Sequence, residues 1–149
     1  MKSLSLPVCL LLSCFAFGSW AADRPDAAER KRLVGVWKGF AVEGMGEQPD
    51  RGAVKLELRI TERAITGLEF KGGGVIEHGT GEFVLDLSAN PKVLDAWKAT
   101  PGGRKQSYVG IYSLEADTLK WCVSPRKTRP GEFRTGNGSF LLVLKRQPQ

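Results

Sequence analysis

The chain has 149 residues, a length typical of one domain, and carries a net charge of +6. It lacks the interleaved aromatic and basic residues of nucleic-acid-binding proteins, so we expect no nucleic-acid partner. One histidine and one cysteine outside the N-terminal apolar run do not supply the usual zinc sites, and no Asp-x-Asp-x-Asp calcium loop is present, so we expect no metal and no other cofactor.

The N-terminus has the three parts of a secretory signal peptide. Lys2 supplies a positive charge, an apolar run extends over residues 4–17, and the small residues Ser19 and Ala21 satisfy the cleavage site. We therefore predict a signal peptide over residues 1–21 and an exported protein, periplasmic or secreted.

This N-terminus has two other interpretations. A permanent transmembrane anchor is disfavoured because spanning takes about 20 apolar residues. A lipoprotein anchored at Cys14 is the second alternative, because residues 11–14 loosely resemble a lipobox, although residues 15–17 stay apolar where a lipoprotein normally turns polar. After cleavage only Cys122 remains, so no internal disulfide forms and packing must supply the stability.

After the signal, residues 22–32 form an N-terminal segment that leads into the domain. Asp26 is predicted to cap a short helix over residues 27–32. β-rich segments then alternate with Gly, Pro, Asn and Asp turns. The predicted strands cover residues 34–42, 54–60, 64–70, 75–77, 82–87, 106–114, 119–123 and 139–145, and residues 91–97 fit either a strand or a helical turn.

These segments predict the fold class. The alternation of Leu56, Leu58 and Ile60 with charged residues, and that of Phe83 and Leu85, is typical of half-buried strands. About eight short strands without long helices between them indicate an all-β protein. We predict a small antiparallel up-and-down barrel over residues 33–146, monomeric, because closure protects the sheet edges. A two-sheet sandwich has the same periodicity.

Several sequence blocks, in this order and spacing, resemble a family of small bacterial lipocalin-like domains of unknown function, best known from planctomycete genomes. The blocks are Leu33-Val34-Gly35-Val36-Trp37, Phe83-Val84-Leu85-Asp86, Asn90-Pro91-Lys92, Leu94-Asp95, Gly110-Ile111-Tyr112, Asp117-Thr118-Leu119, Cys122, Arg129-Pro130 and Phe133. The resemblance covers residues 33–146. It implies a lipocalin-like barrel, often exported, with no catalytic residues to carry over. One departure is Ala116 where the family often has glycine.

The resemblance also implies structural roles. In lipocalins the tryptophan of the Gly-x-Trp motif, here Gly35 and Trp37, packs near the closed end of the barrel, and a basic residue near the chain end lies over it. Lys145 or Arg146 is placed for that contact. Gly35 and Gly39 flank Trp37 on one strand face and leave room for its ring.

Further structural residues are expected in the second half of the chain. Pro91 and Pro130 suit strand starts or edges because proline lacks a backbone donor. Arg129 is placed to pair with Asp86 or Asp95, which would join distant segments.

Little in the sequence indicates catalysis, so we predict a protein that is not an enzyme. His78 lies in a Gly-rich segment and is expected in an exposed loop, without a nucleophile and an orienting partner. Cys122 is expected to be a small buried residue. A hydrolase built on Asp86 and Asp95 would need both carboxylates in one open cleft, and a structural role is favoured for each.

The leading functional hypothesis is an exported, non-enzymatic binding module. Its ligand would be a small apolar or amphipathic molecule, or a partner surface, at the barrel mouth. Aromatic residues are the candidate contacts, first Trp97, Tyr112 and Trp121, with Tyr108 also placed to line the mouth. The sequence leaves open whether the barrel is filled or hollow.

The alternative hypothesis is an exported inhibitor or envelope protein-interaction domain. It would act through the loop of residues 124–134, where Arg126, Lys127 and Arg129 form the local basic cluster of the chain. Its partner would be an envelope protein or a polysaccharide.

Overall fold

A computed structural model describes residues 25–43, 54–136 and 138–148. The predicted signal peptide and Cys14 lie outside the described residues. The described chain has one short helix followed by eight strands: α1 Ala27–Leu33, β1 Gly35–Glu43, β2 Val54–Ile60, β3 Ala64–Lys71, β4 Gly74–Asp86, β5 Lys92–Ala99, β6 Lys105–Glu115, β7 Thr118–Ser124 and β8 Phe140–Arg146. In this part of the chain no helix is long and apolar enough to cross a membrane.

The eight strands form one closed sheet. Each strand pairs antiparallel with the next, and β8 returns to pair with β1, where Trp37 lies opposite Arg146. The predicted all-β, up-and-down barrel with a short N-terminal helix is thus confirmed, and a two-sheet sandwich is excluded. Closure removes the free sheet edges that a strand would otherwise expose.

Alternation along the strands sets the barrel interior. Leu58 and Ile60 point inward and are buried, as their spacing predicts. Glu57 directly precedes Leu58, lies on the outer face and is nevertheless only 3% exposed. Lys38 and Arg59 cover it with ion pairs of 3.2 and 2.7 Å, so its burial depends on neighbours on the outer wall.

The structure differs from the predicted elements at β4. The two segments predicted at 75–77 and 82–87 form one strand of 13 residues, because the glycines between them pair with β3 and do not break it. Gly81 is required there, since a Cβ atom would lie 2.4 Å from the carbonyl oxygen of Trp97. The ambiguous segment at 91–97 is the strand β5, which starts directly after Pro91.

The hairpin between β6 and β7 forms over the predicted turn. Ala116 has φ of 48° and is the only non-glycine residue with positive φ in the described part of the chain. The turn therefore has a left-handed residue where glycine would be unstrained.

Helix α1 closes one end of the barrel. Asp26 precedes the helix as predicted, but its carboxylate accepts a 2.6 Å hydrogen bond from Arg30 and does not cap the backbone. Arg30 also donates to the carbonyl oxygens of Glu62 and Phe83 at 2.9 and 3.1 Å. Its guanidinium lies 4.4 Å from the Phe83 ring centre. One helical side chain therefore joins α1 to the turn between β2 and β3 and to β4.

Glu29 is the second anchor of the closed end and is buried. Its carboxylate accepts hydrogen bonds from Lys92 at 2.9 Å, from the Tyr112 hydroxyl at 3.0 Å and from Arg32 at 2.8 Å. Burial by itself raises the pKa of Glu29, but the bonds from Lys92 and Tyr112 outweigh it and leave the pKa below its ordinary value.

Trp37 fills the closed end beneath this network. Its ring is fully buried, and its indole N–H donates to the carbonyl oxygen of Leu33 at 2.9 Å. Of the two basic residues expected over it, Arg146 takes the position, 4.2 Å from the ring centre. Lys145 bonds to Thr118 instead. Gly39 was expected to leave room for the Trp37 ring, but a Cβ atom there would instead lie 2.0 Å from the carbonyl oxygen of Val143, so this glycine allows the close approach of β8.

The segment between β7 and β8 packs on the outer wall. Of the two carboxylates expected as partners of Arg129, Asp95 contacts it at 2.5 Å and also accepts a 3.0 Å bond from the Gly110 N–H. Below this segment the buried Cys122 packs with Ile111 and Leu141. Burial raises the pKa of its thiol, in keeping with an unreactive core residue.

Candidate ligand cavity

The barrel is hollow at the end opposite α1. A cavity of about 410 Å³ opens there, among the last residues of the odd-numbered strands and the first residues of the even-numbered strands. We call this end the mouth. The volume lies within the range of small-molecule sites, about 300 to 1,000 Å³.

The cavity exists because small residues occupy inward positions in the half of the barrel nearest the mouth. Gly67 and Gly79 lie opposite each other on β3 and β4, and Gly81 and Ala96 also line the space. A Cβ atom on Gly67 would meet only ordinary contacts, 3.6 Å from the His78 Cβ and 3.8 Å from a Leu58 methyl carbon. Gly67 is thus a place where the sequence leaves space free.

One side of the inner wall is apolar. Its apolar residues come from β1, β2, β3, β7 and β8: Ala41, Val54, Leu56, Leu58, Ile65, Trp121, Val123, Phe140 and Leu142. Trp121 is fixed by a 3.0 Å hydrogen bond from its indole N–H to the carbonyl oxygen of Leu94. An apolar ligand would therefore meet a wall whose largest ring is held in place.

Polar side chains gather on one side of the lining. Glu69 and His78 are joined by a 2.8 Å bond between the imidazole Nε2 and a carboxylate oxygen. Lys98 donates from Nζ to the backbone carbonyl oxygen of His78, and Gln106 and Tyr108 follow on β6. Burial raises the pKa of the Tyr108 hydroxyl, so it stays protonated at neutral pH. These groups can hold a polar head while apolar atoms fill the interior.

His78 differs from its predicted setting. It lies on β4 and not in a loop, at a register shift where Gly67 pairs with Gly79 and Leu68 pairs with Glu77. His78 is therefore the extra residue of a bulge, which turns its side chain to the cavity. Its side chain remains 47% exposed.

The lining does not provide a hydrolytic site of the serine or cysteine type. Among the described lining residues there is no serine, threonine or cysteine beside the His78–Glu69 pair. No group of three His, Cys, Asp or Glu side chains placed for a metal occurs in the described residues. The arrangement suits binding by apolar contact with a polar rim.

The three aromatic residues predicted as ligand contacts have different positions. Trp121 lines the cavity. Trp97 lines it through its strand, but its ring faces outward, where Lys105 lies 4.3 Å from the ring centre. The prediction for Tyr112 is wrong: it is 1% exposed at the closed end, and its hydroxyl bonds to Glu29. Tyr112 points inward as expected, but its depth places it beside α1.

The residues predicted for partner binding divide in two. Arg126 and Lys127 are exposed on the segment between β7 and β8. Arg129 pairs with Asp95 and lines a second, open cavity of about 360 Å³, together with Arg134 and neighbouring residues of that segment. Pro130 lies in the same segment between β7 and β8 and not at a strand start or edge, so the expectation for it is wrong.

Asp86 and Asp95 do not form the cleft that a hydrolase would need. The Asp86 carboxylate accepts hydrogen bonds from the Ser88 hydroxyl and backbone N–H at 2.6 and 2.9 Å, which lower its pKa. Asp95 is committed to Arg129 and Gly110. Neither carboxylate lines the cavity at the mouth.

The sequence pattern does not reveal several of the residues that line the cavity. Glu69, Lys98 and Gln106 are charged or polar residues at inward positions, and such positions normally indicate an outer face. The spacing of Gly67 two residues after Ile65 on a strand is a usable signal, because glycine at an inward position leaves a gap. Comparisons of the chain with family models, curated proteins and solved structures found no match.

Proposed function

We propose that this protein is an exported, non-enzymatic binding module that holds a small amphipathic molecule in the barrel. The observation that carries the proposal is the cavity of about 410 Å³, walled by apolar side chains and open at one end. A lipocalin-like role fits this arrangement. Export is supported by the signal-like pattern of residues 1–21.

The polarity of the lining supports an amphipathic ligand over a purely apolar one. Lys98 brings an ammonium group to the cavity, and its described hydrogen bond is to a backbone carbonyl. A ligand with an anionic head can therefore bind Lys98 while its apolar part contacts Trp121 and Leu142.

The test fills the cavity from Gly67. Variants Gly67→Ala, Gly67→Leu and Gly67→Phe place side chains of increasing volume in the free space without a backbone clash. The probe is anilinonaphthalene sulfonate, whose fluorescence rises in an apolar site. Its affinity is expected to fall in the order Ala, Leu, Phe, with a loss of at least tenfold for Phe. Thermal unfolding checks that each variant is folded.

A second arm tests the head group. Lys98→Gln is expected to lower the affinity for anilinonaphthalene sulfonate by about tenfold, because it removes one charged hydrogen bond of about 1.5 kcal/mol. Binding of N-phenylnaphthylamine, the same skeleton without the sulfonate, should not change. If folded Gly67→Phe protein binds both probes like the wild type, the cavity is not the binding site.

A second candidate function is the inhibitor or envelope-interaction role of the segment between β7 and β8. Arg126 and Lys127 support it, because both are exposed and, among the described residues, neither forms an ion pair with a carboxylate. The double variant Arg126→Glu and Lys127→Glu should abolish capture of an envelope partner without changing the melting temperature. Unchanged capture by this variant would exclude the role.

A further inference from the structure

The hairpin between β3 and β4 presents apolar side chains to solvent at the mouth. Phe70 and Val75 lie opposite each other, and Ile76 follows on β4. Their exposed fractions are 36%, 59% and 47%. Gly72 and Gly73, both with positive φ, make the tight turn between the strands. The apolar side chains therefore sit close to a narrow hairpin tip.

This exposure is concentrated at one end of the barrel. Five large hydrophobic residues of the described chain are exposed, and four of them lie at the mouth: Val54, Phe70, Val75 and Ile76. The fifth, Val84, lies on the outer wall opposite Asp95. Adjacent exposed apolar residues are typical of an interaction site, whereas an isolated one is normal.

Positive charge is concentrated at the same end. The described mouth segments, residues 54–55, 69–78, 98–106 and 125–139 without 137, contain nine basic and three acidic residues, and the end of β1 adds the acidic Glu43. Seven of these basic residues form no ion pair with a described carboxylate: Lys55, Lys71, Lys98, Arg104, Lys105, Arg126 and Lys127. Two of the seven have other contacts, because Lys98 donates to a backbone carbonyl and Lys105 lies over the Trp97 ring.

The closed end differs, because its arginines other than Arg63 are neutralised by described carboxylates. Arg30 pairs with Asp26, Arg32 with Glu29, and Arg146 with Asp117. The unpaired positive charge and the exposed apolar side chains are therefore concentrated at the same end of the barrel, the mouth.

We propose that the mouth docks on an anionic lipid bilayer, with Phe70, Val75 and Ile76 entering the interfacial layer and the unpaired basic residues contacting lipid head groups. A projecting apolar tip flanked by cations matches such an interface, because apolar burial and attraction to anionic lipids add together. Lys71 is suited to this position, since its stem can lie along apolar surface while its ammonium group reaches the head groups.

The docking does not depend on what the cavity holds. If the proposed binding function also holds, docking places the cavity opening against the bilayer, so an amphipathic molecule passes between them without crossing bulk water.

The test is sedimentation with vesicles of phosphatidylcholine alone and of phosphatidylcholine mixed with phosphatidylglycerol. The wild-type protein is expected to bind the anionic vesicles and not the neutral ones. The tip variant, Phe70→Ser with Val75→Ser and Ile76→Ser, should bind at least tenfold more weakly. The charge variant, Lys55→Gln with Lys71→Gln and Arg104→Gln, should bind anionic vesicles about 100-fold more weakly at low salt, because each cation contributes about 1 kcal/mol.

Matched controls change the same chemistry away from the mouth. Val84→Ser removes an exposed apolar side chain from the outer wall, and Lys31→Gln with Arg63→Gln removes exposed cations near the closed end. Both should bind like the wild type. All proteins carry the same N-terminus, so its contribution cancels, and circular dichroism checks the fold of each variant.

Two results would overturn docking. One is a wild-type protein that does not bind anionic vesicles, in which case the tip would be assigned to a protein partner. The other is a tip variant that binds as well as Val84→Ser. Probe binding measured without vesicles should be the same for the tip variant and the wild type, so failure of docking and failure of the cavity proposal are separate results.

Discussion

Ala116 is the residue whose backbone conformation least suits its side chain. At φ of 48° its Cβ crowds the following carbonyl oxygen, a strain that glycine avoids. We expect Ala116→Gly to raise the free energy of unfolding by about 1 kcal/mol, measured by urea denaturation. Ala99→Gly, on the exposed end of β5, is the matched control and should have the opposite sign, since glycine weakens a strand. A lower stability for Ala116→Gly would contradict the strain.

Single residues show how far sequence reasoning reaches. Alternation identified Leu58 and Phe83 as inward-facing, because the period of two is local. It did not identify Glu57 as buried, because the ion pairs that cover it include Lys38 from a neighbouring strand. Nor did it place His78 at the cavity, because a bulge depends on the pairing of two strands.

Helix α1 is the element that the closed end depends on, and Glu29 links it to two strands through Lys92 and Tyr112. We expect Glu29→Gln to lower the free energy of unfolding at pH 7 by about 2 kcal/mol, because it replaces charged hydrogen bonds of a buried carboxylate. Chemical denaturation at pH 7 measures this loss.

The same variant has a predicted pH dependence. The folded pKa of Glu29 lies below its ordinary value of 4.5, so its stabilisation is complete above that pH and is lost as the pH falls through the folded pKa. The difference in stability between wild type and Glu29→Gln should therefore shrink in acid. Glu115→Gln, at an exposed strand end, is the control and should follow the wild type throughout. A constant difference across pH would contradict the role of the carboxylate charge.

Elements were predicted well where the pattern is local. The bounds of β2 and β3 agree with their alternation, and the β6–β7 hairpin forms at the expected turn. β4 was divided in two because its glycines look like a turn in sequence, whereas in the sheet they allow close approach of β5. Tyr112 was placed at the wrong end because alternation gives the direction of a side chain and not its depth along the barrel axis.

For the whole molecule, the sequence predicted closure but left open whether the barrel is filled. The answer depends on Gly67, Gly79, Gly81 and Ala96 meeting at one level of the barrel, and that meeting depends on the register of three strands. The concentration of charge and apolar surface at the mouth was equally hidden, since its residues come from four separate segments of the chain.

The cavity volume limits the length of the ligand that can be buried, and this limit can be measured. In a series of straight-chain carboxylates, each added methylene should tighten binding about fourfold, at about 0.8 kcal/mol per buried group, until the cavity of about 410 Å³ is full. Beyond that length, the affinity measured by titration calorimetry should stay constant as the chain grows. In Gly67→Leu the plateau should come at a shorter chain, and an affinity independent of chain length would exclude apolar burial as the driving force.

The pairing of β1 with β8, which closes the barrel, also determines when the protein can fold. Arg146 donates to the carbonyl oxygen of Val34 across 112 positions of the chain. The ring stays open until the last strand has been synthesised, because its first strand has no second neighbour before then. Such a late and distant pairing is slow to form. A ribosome-bound fragment that stops before β8 should therefore be readily cut by proteases, and release of the finished chain should make it resistant.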